Sequence, residues 1–164
     1  MSEFTVLKGY ENHYFETPFT ARKQAVGRLG EVFACFYLKE ILGYQILECN
    51  WRNGRMAEVD IIASTEEGMI VFLEVKTRVA QKGEQTGFDV GIQSFNKLKQ
   101  KKLASAARFY CIQNRINQDV PVRYDLVSIS ISSYLILTTK VCRIARLKAA
   151  DAAICHIEAA IVPV

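Results

Sequence analysis

The chain of 164 residues is poor in the residues that break regular structure, with nine Gly and three Pro, and half of it is hydrophobic. That composition excludes a largely disordered or fibrous chain and fits one ordinary folded domain with room for an appendage. Long apolar runs are also missing. Lys, Arg, His or Glu interrupts every stretch well before the roughly 18 residues a bilayer span requires, which argues against a membrane-spanning helix. The opening MSEFTVLKGYENHYFE carries acids where a secretory signal has a basic start and an apolar run, so the expected compartment is the cytosol. Five cysteines, Cys35, Cys49, Cys111, Cys142 and Cys155, include no C-x-x-C pair and are accompanied by only two histidines. This rules against a zinc ribbon or disulfide scaffold and leaves reduced core cysteines as the expectation.

What is present is unevenly distributed. The net charge is +4, yet the segment from Arg78 to Arg115 holds eight basic residues against the two acids Glu84 and Asp89, giving +6 there and −2 elsewhere. A basic segment of this kind suits a polyanion, nucleic acid above all, although a solvated helix face has the same composition.

Residues 1–16 lack periodicity and are expected to form an N-terminal arm, with residues 17–164 as one domain that carries a C-terminal extension from about residue 131. Thr17-Pro18 or Thr20 offers a helix start, and Val26, Leu29, Phe33, Phe36, Tyr37 and Ile41 recur at helical spacing up to a cap at Gly43. Next come YQILECNWR, the turn signal Asn53-Gly54, RMAEVDIIAS, a short Gly-containing loop and MIVFLEVKTR, which predict a three-stranded antiparallel meander. A polar loop then leads to Asp89 or Ser94 as the start of a second helix, in which Phe95, Leu98, Lys102, Ala106 and Tyr110 follow helical spacing. VRYDLVSISI reads as a further strand, followed by a turn at Ser132-Ser133 and YLILTTK; the segment from Val141 onward is ambiguous between strand and Ala-rich helix. The order α-β-β-β-α-β predicts an α/β fold with a mixed β-sheet flanked by helices.

Chemistry concentrates in AEVDII and FLEVK. Strand side chains alternate faces, so Glu58 shares a face with Asp60, and Glu74 shares one with Lys76. A loop at Glu66-Glu67-Gly68 would set Asp60 opposite Glu74 and Glu58 opposite Lys76. Like charges opposed in this way destabilise a sheet unless something positive lies between them, and a hard divalent cation with oxygen ligands is the natural candidate. The alternative on spacing alone is a solvated sheet face of alternating acid and lysine.

GRLGE at 27–31, GYQILECNWR at 43–52, AEVDII and FLEVKTR together resemble the YraN family of uncharacterised endonuclease-like proteins. That family belongs by motif to the PD-(D/E)xK nuclease superfamily and is similar to archaeal Holliday-junction resolvases. The likeness runs from Ala21 to Ser130 and takes in VRYDLVSI and the later HIEAAI. It implies a restriction-endonuclease-like fold, Mg²⁺ or Mn²⁺ as cofactor and DNA, branched or damaged, as partner. By the same resemblance Asp60 and Glu74 correspond to metal-binding carboxylates, Lys76 to the catalytic lysine, Glu31 to a further acid contributed by the first helix, and Glu58 to an acid of less defined role. Ala57 stands where the family has Gly and Val59 where the superfamily has Pro; neither change removes a ligand.

Arg52 and Arg78 flank these motifs as candidate phosphate contacts, and Lys97, Lys101 and Arg108 form a basic stripe on the second helix. His13 and His156 are expected to be structural, and Trp51 to pack in the core. Residues 131–155 exceed what a minimal version of the fold needs and suggest an extra hairpin or helix over a sheet edge, or a dimer surface. Resolvase-like relatives suggest a homodimer. The leading functional expectation is a metal-dependent nuclease; a non-catalytic nucleic-acid-binding module is the rival, and a purely structural interaction protein ranks third.

Overall fold

Two helices and a five-stranded sheet make up the described part of the protein, which in this computed structural model comprises residues 21–54, 57–80, 94–132 and 152–161. The expected arm, the Thr17-Pro18 start, His13, Asp89 and the YLILTTK strand lie outside the described residues.

The first helix, α1 (Ala21–Phe36), continues into a single widened π turn, Tyr37–Ile41, and stops at Gly43, whose φ of +71° is the left-handed conformation of a helix-ending glycine. The extra residue in that turn alters the sequence pattern. Phe33 is buried as expected, but Leu38 takes the innermost position and Ile41 is 66% exposed, because widening a turn rotates every later side chain off the original stripe.

Strands β1 (Gln45–Asn53), β2 (Ala57–Ser64) and β3 (Ile70–Ala80) form the predicted antiparallel meander. The β2–β3 hairpin closes through Thr65 N–H to Met69 O (2.9 Å) and Gly68 N–H to Thr65 O (3.0 Å), with Gly68 at φ +81°. Its register, Ser64 with Ile70 through Ile61 with Leu73, is the one that the Glu66-Glu67-Gly68 loop implies. The chain then passes through α2 (Lys97–Gln113) before β4 (Val122–Ser132) pairs in parallel with β3, as a parallel pair requires a long crossover. β5 (Ala152–Ile157) pairs antiparallel with the far side of β4 and gives the sheet the order β1-β2-β3-β4-β5. The ambiguous C-terminal stretch thus contains a strand that covers the β4 edge.

Helix α2 starts later than the sequence suggests. Asn96, not Ser94, caps it: its Oδ1 accepts from Lys99 N–H at 3.1 Å. Phe95 therefore packs from outside the helix, and the buried stripe is Leu103, Ala106, Ala107 and Tyr110, while Leu98 is 63% exposed.

One apolar layer lies between α1 and the sheet, built on Phe33, Leu38, Ile61, Leu73 and Ile129; the other lies under α2, built on Trp51, Val59, Phe72, Leu103 and Tyr110. Trp51 is buried, edge-on to Tyr110 at 5.5 Å. Trp51 and Val59 face α2, whereas Cys49 and Ile61, two residues away on the same strands, belong to the α1 layer. Strict alternation would keep each pair on one face. The paired strands roll over between these positions, at Asn50, which has φ +54°, and its neighbour Asp60. Among the described residues no helix is long and apolar enough to cross a membrane.

Candidate functional site

The β2–β3 ladder ends at Ile61 with Leu73, where the next pair would be Asp60 with Glu74. In place of a strand carbonyl, the Asp60 carboxylate accepts the Val75 N–H through Oδ2 at 2.7 Å. The two strands part there, and a cleft of about 540 Å³ opens between the parting strands and the two helices. α1 contributes Gly27 and Glu31, β1 Arg52, β2 Ala57, Glu58 and Asp60, β3 Glu74 to Thr77, and α2 Lys99, Lys102 and Leu103.

Glu74 and Lys76 share a strand face, as their spacing requires, and form an ion pair. Lys99 Nζ approaches the same Glu74 oxygen at 3.7 Å. Glu31 is held by Asn50, whose Nδ2 donates to Oε2 at 2.9 Å. The left-handed conformation of Asn50 thus both turns β1 and directs an amide at the α1 acid.

Burial pushes the Asp60 carboxyl up to about 7 from its ordinary 3.8; the charges of Glu74 and Glu31 push the same way, and the Val75 N–H and Lys76 oppose them. Near neutral pH this group is divided between acid and carboxylate. The repulsion from Glu74 and Glu31 is the electrostatic signature of three acids directed at one region.

α1 packs closely on β3 beside the cleft, whose lining includes Thr77. A Cβ placed on Gly30 would lie 1.7 Å from Thr77 Oγ1 and 2.7 Å from its Cβ, so only glycine permits this approach. A Cβ on Gly27, one turn earlier and at the cleft wall, meets nothing within 4 Å.

Asp60, Glu74, Lys76, Glu31, Glu58 and Arg52 all come together at the cleft. Glu58 does not face Lys76 in a ladder pair; it is bound by Arg52, with Nη2 to Oε1 at 2.6 Å. Lys97, Lys101 and Arg108 are exposed on α2 but do not line the cleft, and Arg78 is not part of its lining either. Sequence reasoning missed Lys99 and Lys102. Their three-residue step puts the two on one face of α2, but the step of four between Lys97 and Lys101 does the same for another face, and nothing in the sequence says which face turns to the cleft.

Hard oxygen donors in a partly desolvated cleft are the ligand chemistry of Mg²⁺ or Mn²⁺, and a cation would offset the repulsion that raises Asp60. The donors are not gathered in advance. Among the described residues no three His, Cys, Asp or Glu side chains form a ready metal-holding group, because Glu74 is turned to Lys76 and Glu31 to Asn50.

A second polar cluster is structural. Asp125, fully buried, accepts from Arg123 Nε (2.9 Å) and Nη2 (2.8 Å) and from Ala159 N–H (3.0 Å), and pairs with His156 Nε2 at 2.9 Å. Arg123 also donates to Tyr44 Oη at 2.8 Å and to Glu158 at 3.0 Å. This network fastens β5 to β4 and to the start of β1, and it accounts for His156 without a ligand role.

An α/β fold with a mixed sheet, two flanking helices and an acid-lysine cleft where strands part is an endonuclease-like arrangement. Residues 30–129 match the model of the uncharacterised protein family UPF0102. The chain belongs to that family, the YraN family indicated by its motifs. It is 40% identical to a UPF0102 protein of Acetivibrio thermocellus over 107 residues, 65% of this chain and 76% of the relative. A UPF0102 protein of Alkaliphilus oremlandii is 36% identical over 107 residues, 65% of this chain and 85% of the relative. The UPF0102 protein of Oleidesulfovibrio alaskensis is 42% identical over 106 residues, 65% of this chain and 48% of the relative.

Proposed function

We propose that this protein is a Mg²⁺- or Mn²⁺-dependent nuclease that hydrolyses phosphodiester bonds in DNA, with branched or damaged DNA as the favoured substrate and a homodimer as the working form. The observation that carries this reading is the convergence of Asp60, Glu74 and Lys76 on one open cleft at the point where β2 and β3 part. Asp60 and Glu74 would hold the cation, with Glu31 as a third donor. When bound, such an ion supplies Lewis-acid chemistry, lowering the pKa of water and neutralising charge on the phosphate. Glu74, once engaged, would release Lys76 to face the scissile phosphate or orient the attacking water. Lys99 and Lys102 on one wall and Arg52 on the other offer cations to the flanking phosphates.

A binding module without turnover is the second reading. It is favoured by the two lysines that already neutralise Glu74 without a metal. Cleavage assays on single-stranded, duplex, flap and four-way DNA, with Mg²⁺, Mn²⁺ or chelator, separate the two. The nuclease reading expects metal-dependent cleavage and a loss of at least about a hundredfold in single-turnover rate for Lys76→Ala, with only a few-fold loss of affinity. Binding without cleavage of any of these substrates, with either metal, would overturn it.

A further inference from the structure

We propose that Cys35 and Cys49 form a redox modification site, closing a reversible disulfide between α1 and β1 when the protein meets a hydroperoxide. This goes beyond the proposed nuclease function and does not rest on it. The two Sγ atoms lie 3.5 Å apart, although the residues belong to different elements. A disulfide needs about 2 Å, a difference within the reach of side-chain rotation. Neither thiol is disulfide-bonded, so the reduced pair is already juxtaposed.

Their unequal exposure assigns the roles. Cys35 is 3% exposed, whereas Cys49 is half-buried, and on that difference the first oxidation is assigned to Cys49. Cys49 attacks one peroxide oxygen, the O–O bond breaks, and sulfenic acid and one water result. Cys35 sulfur then attacks Cys49 sulfur; the S–O bond breaks, the S–S bond forms, and the hydroxyl leaves with the Cys35 proton as a second water. Two thiols lose two electrons and the peroxide gains them. Cys111 packs in the α2 layer and has no such neighbour among the described residues.

The position gives the bond a consequence. Cys35 lies one helical turn beyond Glu31, and Cys49 directly precedes Asn50, so the disulfide would be a second rung beside the Glu31–Asn50 hydrogen bond. Oxidation would fix the α1–β1 spacing that sets the cleft-facing acid.

Peptide mapping of the full chain tests this. After brief treatment with hydrogen peroxide, the protein is alkylated in denaturant and digested with trypsin, which places Cys35 in peptide 29–39 and Cys49 in peptide 40–52. The expected result is one linked species, lighter than the summed peptides by two hydrogens and separated by dithiothreitol, in most chains. It should persist in Cys111→Ser and vanish in Cys49→Ala. Recovery of both peptides alkylated and separate, over-oxidation of Cys49, or pairing of either cysteine elsewhere would overturn the proposal.

Discussion

Replacing Asp60 by Asn should stabilise the metal-free protein at alkaline pH while abolishing its response to metal. The folded protein holds the Asp60 proton up to about pH 7, whereas the ordinary value is 3.8. Stability therefore falls as pH rises from about 4 to about 7, because over that range the unfolded chain has lost a proton that the folded chain keeps. At about 1.4 kcal/mol per pKa unit, the cost is about 2 kcal/mol at pH 5 and about 4 kcal/mol at pH 8, before any relaxation of the site. Asn retains an acceptor for the Val75 N–H and carries no charge to desolvate. Denaturant unfolding of parent and Asp60→Asn in chelator should give a stability difference favouring Asn that grows by about 2 to 3 kcal/mol between pH 5 and pH 8. Taking the difference cancels the titration of groups common to both. Saturating Mn²⁺ should then stabilise the parent, by about 2.7 kcal/mol at a hundred times Kd, and leave the Asn variant unmoved. A difference independent of pH, or an Asn variant less stable than the parent at pH 8, would refute the desolvated-acid account. Equal stabilisation of both proteins by Mn²⁺ would refute the metal assignment.

Gly30→Ala should destabilise by about 1–3 kcal/mol through overlap with the Thr77 stem, while Gly27→Ala, with open space at its Cβ, should stabilise by up to about 1 kcal/mol; thermal unfolding of the two variants checks both signs. Lys99→Ala combined with Lys102→Ala should lower the slope of log K against log salt for duplex DNA by about 2, since each phosphate contact contributes about 0.9, and Lys97→Ala with Lys101→Ala should lower it by less than about 1. The reverse order would place DNA on the other face of α2. Asp125→Asn should cost about 3–5 kcal/mol at pH 7, because Arg123 loses its buried partner. Burial raises the Asp125 carboxyl, but hydrogen bonds from His156, Arg123 and Ala159 outweigh it and hold the group below its ordinary 3.8. Its contribution is therefore present above about pH 4 and lost as pH falls further, so acid unfolding curves of parent and variant should converge there.

The primary sequence by itself determined the hairpin and the acids on it. A strand has a side-chain period of two, and a short loop fixes register covalently, so Glu66-Glu67-Gly68 was enough to set the pairs from Ser64–Ile70 to Ile61–Leu73 and to leave Lys76 beside Glu74. The expected Asp60–Glu74 pair does not form, because the strands part there and Asp60 takes the Val75 N–H instead. Glu31 was legible only through the resemblance, since nothing in a helical repeat says which exposed acid will face a distant strand. The choice among the α2 lysines was not legible. A helix's rotation about its axis follows from which of its residues become buried, and packing Leu103, Ala106, Ala107 and Tyr110 against the sheet places Lys99 and Lys102 at the cleft. The same limit applies to the roll-over at Asn50 and to the meeting of Cys35 with Cys49, 14 residues apart and on different elements. Local periodicity decides what a residue's neighbours are along its own strand or helix. Packing of one element on another decides everything across the gap between them, and in this protein the cleft is that gap.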